Sequence, residues 1–119
     1  MALKGLKQAL QSTEEIKITV TGRTSGRKIS IPVWFVEDGK AVHLLPVKGS
    51  DTEWFKNLLK NRTITLAAKG TKWIARKVTV IKDRARVRKV ADMFRARYGA
   101  GDVKKYYSKF DVAVRIPLG

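Results

Sequence analysis

The sequence predicts an α+β protein built on a small six-stranded, mostly antiparallel barrel with inserted helices. Three observations predict it. Six segments alternate or run apolar in the manner of strands, most of them joined by turn-sized gaps. Two amphipathic stretches, 51–60 and 84–98, carry the helical period and interrupt the strands. The 119 residues allow one domain, 1–119, with a core of its own, and are too few for two.

Residues 2–11 read as a short amphipathic helix, with Leu3, Leu6 and Leu10 on one face and Lys4, Lys7 and Gln11 on the other. It would brace the barrel. Ile16, Ile18 and Val20 alternate with Lys17, Thr19 and Thr21, a strand with one wet face. The turn at 22–28 leads into a second strand, 29–36. There Ile29, Ile31, Val33 and Phe35 point one way and Ser30, Pro32, Trp34 and Val36 the other. Glu37-Asp-Gly-Lys40 signals a hairpin, because Asp-Gly suits the positive φ values of a type I′ turn.

The third strand, 41–47, is apolar on both faces apart from His43 and is expected to be central and covered on both sides. Ser50 with Glu53 three residues on reads as a capping box, opening a helix over 51–60 that buries Trp54, Phe55, Leu58 and Leu59. Asn57 lies at the edge of that stripe. Strands follow at 63–68 and 72–81, joined at Lys69-Gly70-Thr71. The clearest helix is 84–98, capped by Asp83, ended by Gly99 and buried through Val87, Val90, Ala91 and Phe94. Residues 102–110 read as loop or as a short helix, and Val112, Val114 and Ile116 mark a last strand.

Charge narrows the function. Lys and Arg number 26 against 10 Asp and Glu, for a net charge of +16. Residues 1–50 hold 8 cations and 4 acids, whereas 51–119 hold 18 and 6. Such a field draws polyanions, whether nucleic acid, an anionic membrane or a phosphorylated, carboxylate-rich small molecule. The absence of cysteine excludes disulfides and thiol chemistry. With one histidine besides, little is left for a transition-metal site or a Ser-His-Asp triad. No metal is expected, and an enzyme of this composition would borrow its chemistry from a cofactor. No apolar run reaches the length of a membrane span and the N-terminus lacks a signal-peptide pattern, so the chain reads as a cytoplasmic protein.

The candidate site centres on Thr21-Gly-Arg-Thr-Ser-Gly-Arg-Lys28. This turn, rich in donors and cations, can hold an anion. Lys48-Gly49-Ser50, just before the 51–60 helix, is a second anion-binding candidate. Trp34, on the strand face opposite Phe35, suits a pocket wall. Trp54 divides evenly between core and pocket. His43 sides with Leu45 and Val47 on an apolar strand and reads as a hydrogen-bonded structural imidazole.

Thr21-Gly-Arg-x-Ser-Gly, Pro32-Val-Trp-Phe35, Asp38-Gly39, Lys48-Gly and Trp54-Phe-x-Asn-Leu58 occur in that order. Together they resemble the deazaflavin-dependent nitroreductase family over roughly residues 16–66, with a looser fit to Leu118. The resemblance implies a split β-barrel that binds coenzyme F-420, a deazaflavin, or in some relatives FMN, and passes hydride to a small organic acceptor. It places Gly22, Arg23, Thr24, Ser25, Gly26, Arg27 and Lys28, with Pro46, Val47, Lys48, Gly49 and Ser50, around the coenzyme's phosphate and acidic tail. It sets Trp34, Trp54 and Asn57 beside the coenzyme, and Tyr106 and Tyr107 as catalytic candidates at the substrate mouth.

The chain departs from the family pattern at four positions. Frequent basic residues are missing at Thr24 and near Ile29, where Arg27 and Lys28 stand as substitutes, while Val47 replaces a small or hydroxyl residue and Trp34 a tyrosine. The competing reading is a small basic barrel that binds nucleic acid without redox activity, its arginine-rich 84–98 helix forming the contact. That reading accounts for the charge but not for the ordered motifs at 21–58. F-420 against FMN, and the oligomeric state, stay open.

Overall fold

The computed structural model describes residues 2–118. Helix α1 spans Ala2–Gln11, and strands β1 and β2 span Glu15–Thr21 and Lys28–Trp34. Two further strands, β3 (Val36–Glu37) and β4 (Ala41–Leu44), precede a 3-10 turn at Gly49–Asp51 and helix α2, Glu53–Lys60. The chain continues through β5 (Ile64–Ala68), β6 (Thr71–Ala75) and β7 (Thr79–Ile81). It closes with α3 (Arg84–Tyr98), α4 (Ala100–Tyr106) and β8 (Ala113–Pro117). The strands form two four-stranded antiparallel sheets, ordered β2-β1-β5-β6 and β3-β4-β8-β7.

The expected six strands are therefore eight, in two sheets rather than one closed barrel. The reason is the same at both extra breaks. The stretch 29–36 bends at Phe35 and crosses from the first sheet to the second, and the stretch 72–81 does so at residues 76–78. A strand that passes between two packed sheets must interrupt its ladder at the corner. At Phe35 the interrupted backbone is satisfied from α3. The Phe35 N–H donates to the Tyr98 hydroxyl at 3.1 Å, and the Arg97 guanidinium donates to the Phe35 carbonyl at 3.1 Å. Arg97 also lies 4.5 Å over the fully buried Phe35 ring.

The turns divide differently from the sequence expectation. At the 37–40 hairpin only Gly39 has positive φ, 89°, so the turn is not type I′. Instead Asp38 accepts from the N–H groups of Lys40 and Ala41, each at 2.9 Å. Positive φ at both central residues occurs at Lys69 (48°) and Gly70 (81°), which join β5 to β6.

Two apolar clusters hold the sheets. One lies between them and takes Ile16, Ile18 and Val20 from β1, Leu44 from β4, Trp54, Phe55 and Leu58 from α2, and Ile116 from β8. The other lies outside the second sheet, where Val87, Val90, Ala91 and Phe94 of α3 pack with Val103 and Tyr107. The second sheet is thus covered on both faces, and all four residues of β4 are buried, as the apolar run predicts. That strand ends at Leu44 rather than 47, ahead of Pro46, which cannot donate to a ladder. The 102–110 ambiguity resolves into α4, with Val103 buried. Ala9 and Leu10 pack α1 into the first cluster, whereas the side chains of Leu3, Lys4, Leu6 and Lys7 lie outside the described residues. Among the described residues no helix is long and apolar enough to cross a membrane.

Tyr98→Phe removes the hydroxyl that serves the Phe35 corner. It should cost about 1–3 kcal/mol of stability, the penalty for a part-buried donor left unpaired. Urea unfolding followed by tryptophan fluorescence measures it, and an unchanged midpoint would mean that Arg97 alone holds the corner.

Candidate functional site

Two cavities share Trp54 of α2 in their walls. The first, of about 300 Å³, is lined by Pro32, Val33 and Trp34 of β2, Leu45 and Val47 of the following loop, Trp54, Tyr106, Tyr107 and the carboxylate-bearing Glu15. The second, of about 430 Å³, is lined by Gly22, Arg23, Thr24 and Ser25 of the turn, Ile29, Ile31, Glu53 and Asn57, and again by Trp54. Trp54 is buried and belongs both to the inter-sheet core and to the cavity walls. That reconciles the two readings of this residue.

The aromatic cavity is held by stacking. Trp34 lies flat on Tyr98, with ring centroids 4.3 Å apart and planes 7° apart, and meets the edge of Tyr106 at 5.5 Å. Tyr98 in turn is fixed through its hydroxyl, which lies 2.6 Å from the Glu14 carbonyl and 2.8 Å from that of Phe35. Tyr107 is buried between Trp34, Phe94 and Phe110. Burial, with a smaller contribution from Tyr98, raises the Tyr107 phenol well above its usual value, so it stays protonated at all ordinary pH. Tyr106 is exposed at the mouth.

The polar cavity is built on a closed turn. Gly22 N–H donates to the Arg27 carbonyl at 2.8 Å, and Gly26 N–H to that of Gly22 at 2.9 Å. Gly26 has φ of 71°, a conformation that suits glycine. Asn57 is buried, and its Oδ1 accepts both from the Arg23 backbone N–H at 3.1 Å and from the Arg23 guanidinium at 2.7 Å. Glu53 takes the same guanidinium at 2.9 Å. The turn is thereby tied to α2, and Arg23 enters the cavity already partnered. The pair also explains why Asn57 is buried while Leu59, placed in the stripe by its spacing, is exposed.

Ser50 and Glu53 do not form the expected capping box. Helix α2 begins three residues later than Ser50, behind Thr52, whose buried side chain accepts from the Lys48 N–H at 2.8 Å. Ser50 turns to Asp111, donating its N–H to Oδ1 at 2.9 Å and its hydroxyl to Oδ2. Gly49 has φ of 54°, and a Cβ there would collide with Asp111 Oδ1. Burial raises the Asp111 carboxyl, but the Ser50 bonds and the Lys109 charge outweigh it and hold it below its usual value.

Of the sequence-predicted site residues, the first cavity gathers Trp34, Val47, Trp54, Tyr106 and Tyr107, and the second Gly22, Arg23, Thr24, Ser25, Trp54 and Asn57. Gly26, Arg27, Lys28, Pro46, Lys48, Gly49 and Ser50 line neither. Glu15, Tyr98 and Asp111 escaped sequence reasoning. Tyr98 reads there only as a helix end, and Asp111 is separated from Ser50 by 61 residues with no local pattern to join them. Among the described residues no group of three His, Cys, Asp or Glu side chains could hold a metal ion. His43, buried on β4, bonds Asp38 at 3.0 Å and lines neither cavity.

The two antiparallel sheets with their inserted helices define a split-barrel-like fold. Solved structures share the fold. An F420-H2 dependent reductase (FDR-A) is 18% identical with a TM-score of 0.66, over 87% of this chain and 93% of that one. A conserved hypothetical protein, Rv2991 of Mycobacterium tuberculosis, is 17% identical with a TM-score of 0.73, over 98% and 79%. The haem storage protein HutZ of Vibrio cholerae is 13% identical with a TM-score of 0.69, over 96% and 87%. The chain belongs to the family described as an uncharacterized protein conserved in bacteria (DUF2255), whose model matches residues 7–114. No curated protein matches it.

One pH dependence follows from the His43 pair. Burial alone would raise the Asp38 carboxyl. The hydrogen bond from His43, with those from Lys40 and Ala41 and the charge of the imidazole, brings it from 3.8 down to about 2. A depressed carboxyl adds stability above 3.8 that is lost as pH falls towards 2. Asp38→Asn should flatten the stability profile across that window in acid unfolding.

Proposed function

We propose that the chain binds a flavin-type coenzyme, the deazaflavin F-420 or FMN, and passes hydride from it to a small organic acceptor. The observation that carries this reading is the aromatic cavity joined through Trp54 to the polar cavity of the 22–25 turn. A flat ring system with a phosphate-bearing tail needs that pairing, an apolar slot for the ring beside donors and cations for the tail. The F420-H2 dependent reductase with the same fold, and the ordered motifs at 21–58, support it.

Trp34, Val47 and Trp54 would hold the ring. The turn through Lys28, the Lys48–Ser50 loop and Asn57 would hold the phosphate and acidic tail. When bound in its reduced form the coenzyme supplies a hydride and is oxidised by two electrons. Everything else falls to the chain. Trp34 and Tyr98 fix one wall of the slot and exclude water from it. Tyr107, kept protonated by burial, donates a hydrogen bond to charge developing on the acceptor rather than giving up its proton. The proton that accompanies the hydride enters at the mouth, from the exposed Tyr106 hydroxyl or from water.

Haem is the other flat ligand suggested by a fold relative, but the single histidine is bonded to Asp38 and offers no axial imidazole in the cavity. Nucleic acid has only charge in its favour. Trp34, the aromatic that would serve as a stacking platform, is already stacked on Tyr98.

Titration of F-420 and of FMN, read by quenching of tryptophan fluorescence, tests the reading. Binding of neither would overturn it. Lys48→Ala should weaken coenzyme binding by about 10- to 150-fold, the worth of a charge-assisted bond, with little loss of stability. Tyr106→Phe or Tyr107→Phe should lower turnover of a reducible acceptor by about 10- to 100-fold while coenzyme affinity stays within about threefold. Full turnover in the double mutant would reduce both tyrosines to packing.

A further inference from the structure

The donors expected to seat a ligand's phosphate at the 49–50 turn are already engaged by a carboxylate of the chain itself. Asp111 receives the Ser50 N–H at 2.9 Å and the Ser50 hydroxyl, and its Oδ1 is tucked where a side chain on residue 49 would stand. Lys109 lies 3.7 Å from Asp111 and 3.1 Å from Asp51, adding a cation to the seat. Two backbone contacts extend the attachment. Ser108 N–H donates to the Val47 carbonyl at 2.8 Å, and Lys48 and Lys109 form an isolated parallel bridge. The segment 107–111 is therefore zipped along 47–50, and it begins at Tyr107, which with the preceding Tyr106 lines the aromatic cavity.

We propose that Asp111 is a specificity-determining residue of this site. It occupies the anion seat of the Lys48–Ser50 loop, and the phosphate of a flavin-type ligand binds there only by displacing it. This deepens the proposed function and rests on it for the identity of the ligand. The physical argument is competition. A carboxylate and a phosphate oxygen want the same N–H and hydroxyl donors, and two anions at one seat repel. The presence of Asp111 therefore lowers the advantage that a phosphate gives a ligand. Its departure would break the side-chain staple to Ser50, leaving the segment that follows Tyr107 held to 47–48 by the Ser108 and Lys109 backbone contacts alone.

The measurement is the ratio of FMN affinity to riboflavin affinity in wild type, Asp111→Asn and Asp111→Ala, with inorganic pyrophosphate titrated separately by calorimetry. Riboflavin shares the ring but lacks the phosphate, so the ratio isolates the seat. Asp111→Asn removes the charge while its amide oxygen can still accept from Ser50, which protects the loop should Asp111→Ala fold poorly. The ratio should rise about tenfold or more in Asp111→Ala, and by a smaller factor in Asp111→Asn, with pyrophosphate following the same order. An unchanged or falling ratio would overturn the proposal and leave Asp111 as a loop brace. If no variant binds a flavin or F-420 while pyrophosphate still tightens on losing Asp111, the proposed function fails and the assignment of Asp111 stands. If pyrophosphate is also indifferent, both fail.

Discussion

The structure depends on the corner at Phe35. There one strand leaves the first sheet and enters the second, and the backbone at the crossing loses its ladder partners. Unpaired, a buried N–H and carbonyl would cost several kcal/mol between them, on the order of a third of a small domain's net stability. Arg97 and Tyr98, consecutive at the end of α3, supply the missing partners. The same two side chains reach the carbonyls of Thr13 and Glu14 ahead of β1. A helix end, a strand corner and the entrance to the first strand are thereby held as one joint.

That joint also shapes the site. Trp34 precedes the corner and stacks on Tyr98, whose hydroxyl is anchored at Phe35 and at the Glu14 carbonyl. The residue that satisfies the corner is thus also part of the aromatic wall, which Tyr106 and Tyr107 extend. The polar cavity has its own anchor in Asn57, which binds the 22–28 turn to α2 through Arg23. Trp54, on the same helix, places the two cavities side by side. Helix α2 is short, yet through Trp54 it contributes to both the aromatic and the polar cavity.

Much of the fold was legible because period and burial coincide. The stripe Val87, Val90, Ala91 and Phe94 is the buried face of α3, and the unbroken apolar run of β4 does lie between two covered faces. The sheet corners were not legible. Alternation over 29–36 continues through Phe35 without a glycine or a bulge signal, since the corner is stabilised by residues 62 and 63 positions away. Ser50 with Glu53 misled for a related reason. The motif is local, but both side chains found distant partners, Asp111 and Arg23. At the site, most residues that line the cavities fall in recognisable motifs, Glu15 excepted, while Tyr98, which positions Trp34, and Asp111, which holds Ser50, carry none.

The placement of β8 has a consequence for the order in which the protein assembles. It runs between β4 and β7, so the second sheet has no continuous ladder until residues 113–117 arrive. The first sheet has no such wait, because β1 with β2 and β5 with β6 are hairpins between chain neighbours. On a ribosome the first sheet can therefore pair while α3 is still being made, with the apolar edge of β4 uncovered. The aromatic cavity is finished in the same late step, since Tyr106 and Tyr107 come only a few residues before β8. A chain stalled before that point would hold a folded sheet and half a pocket.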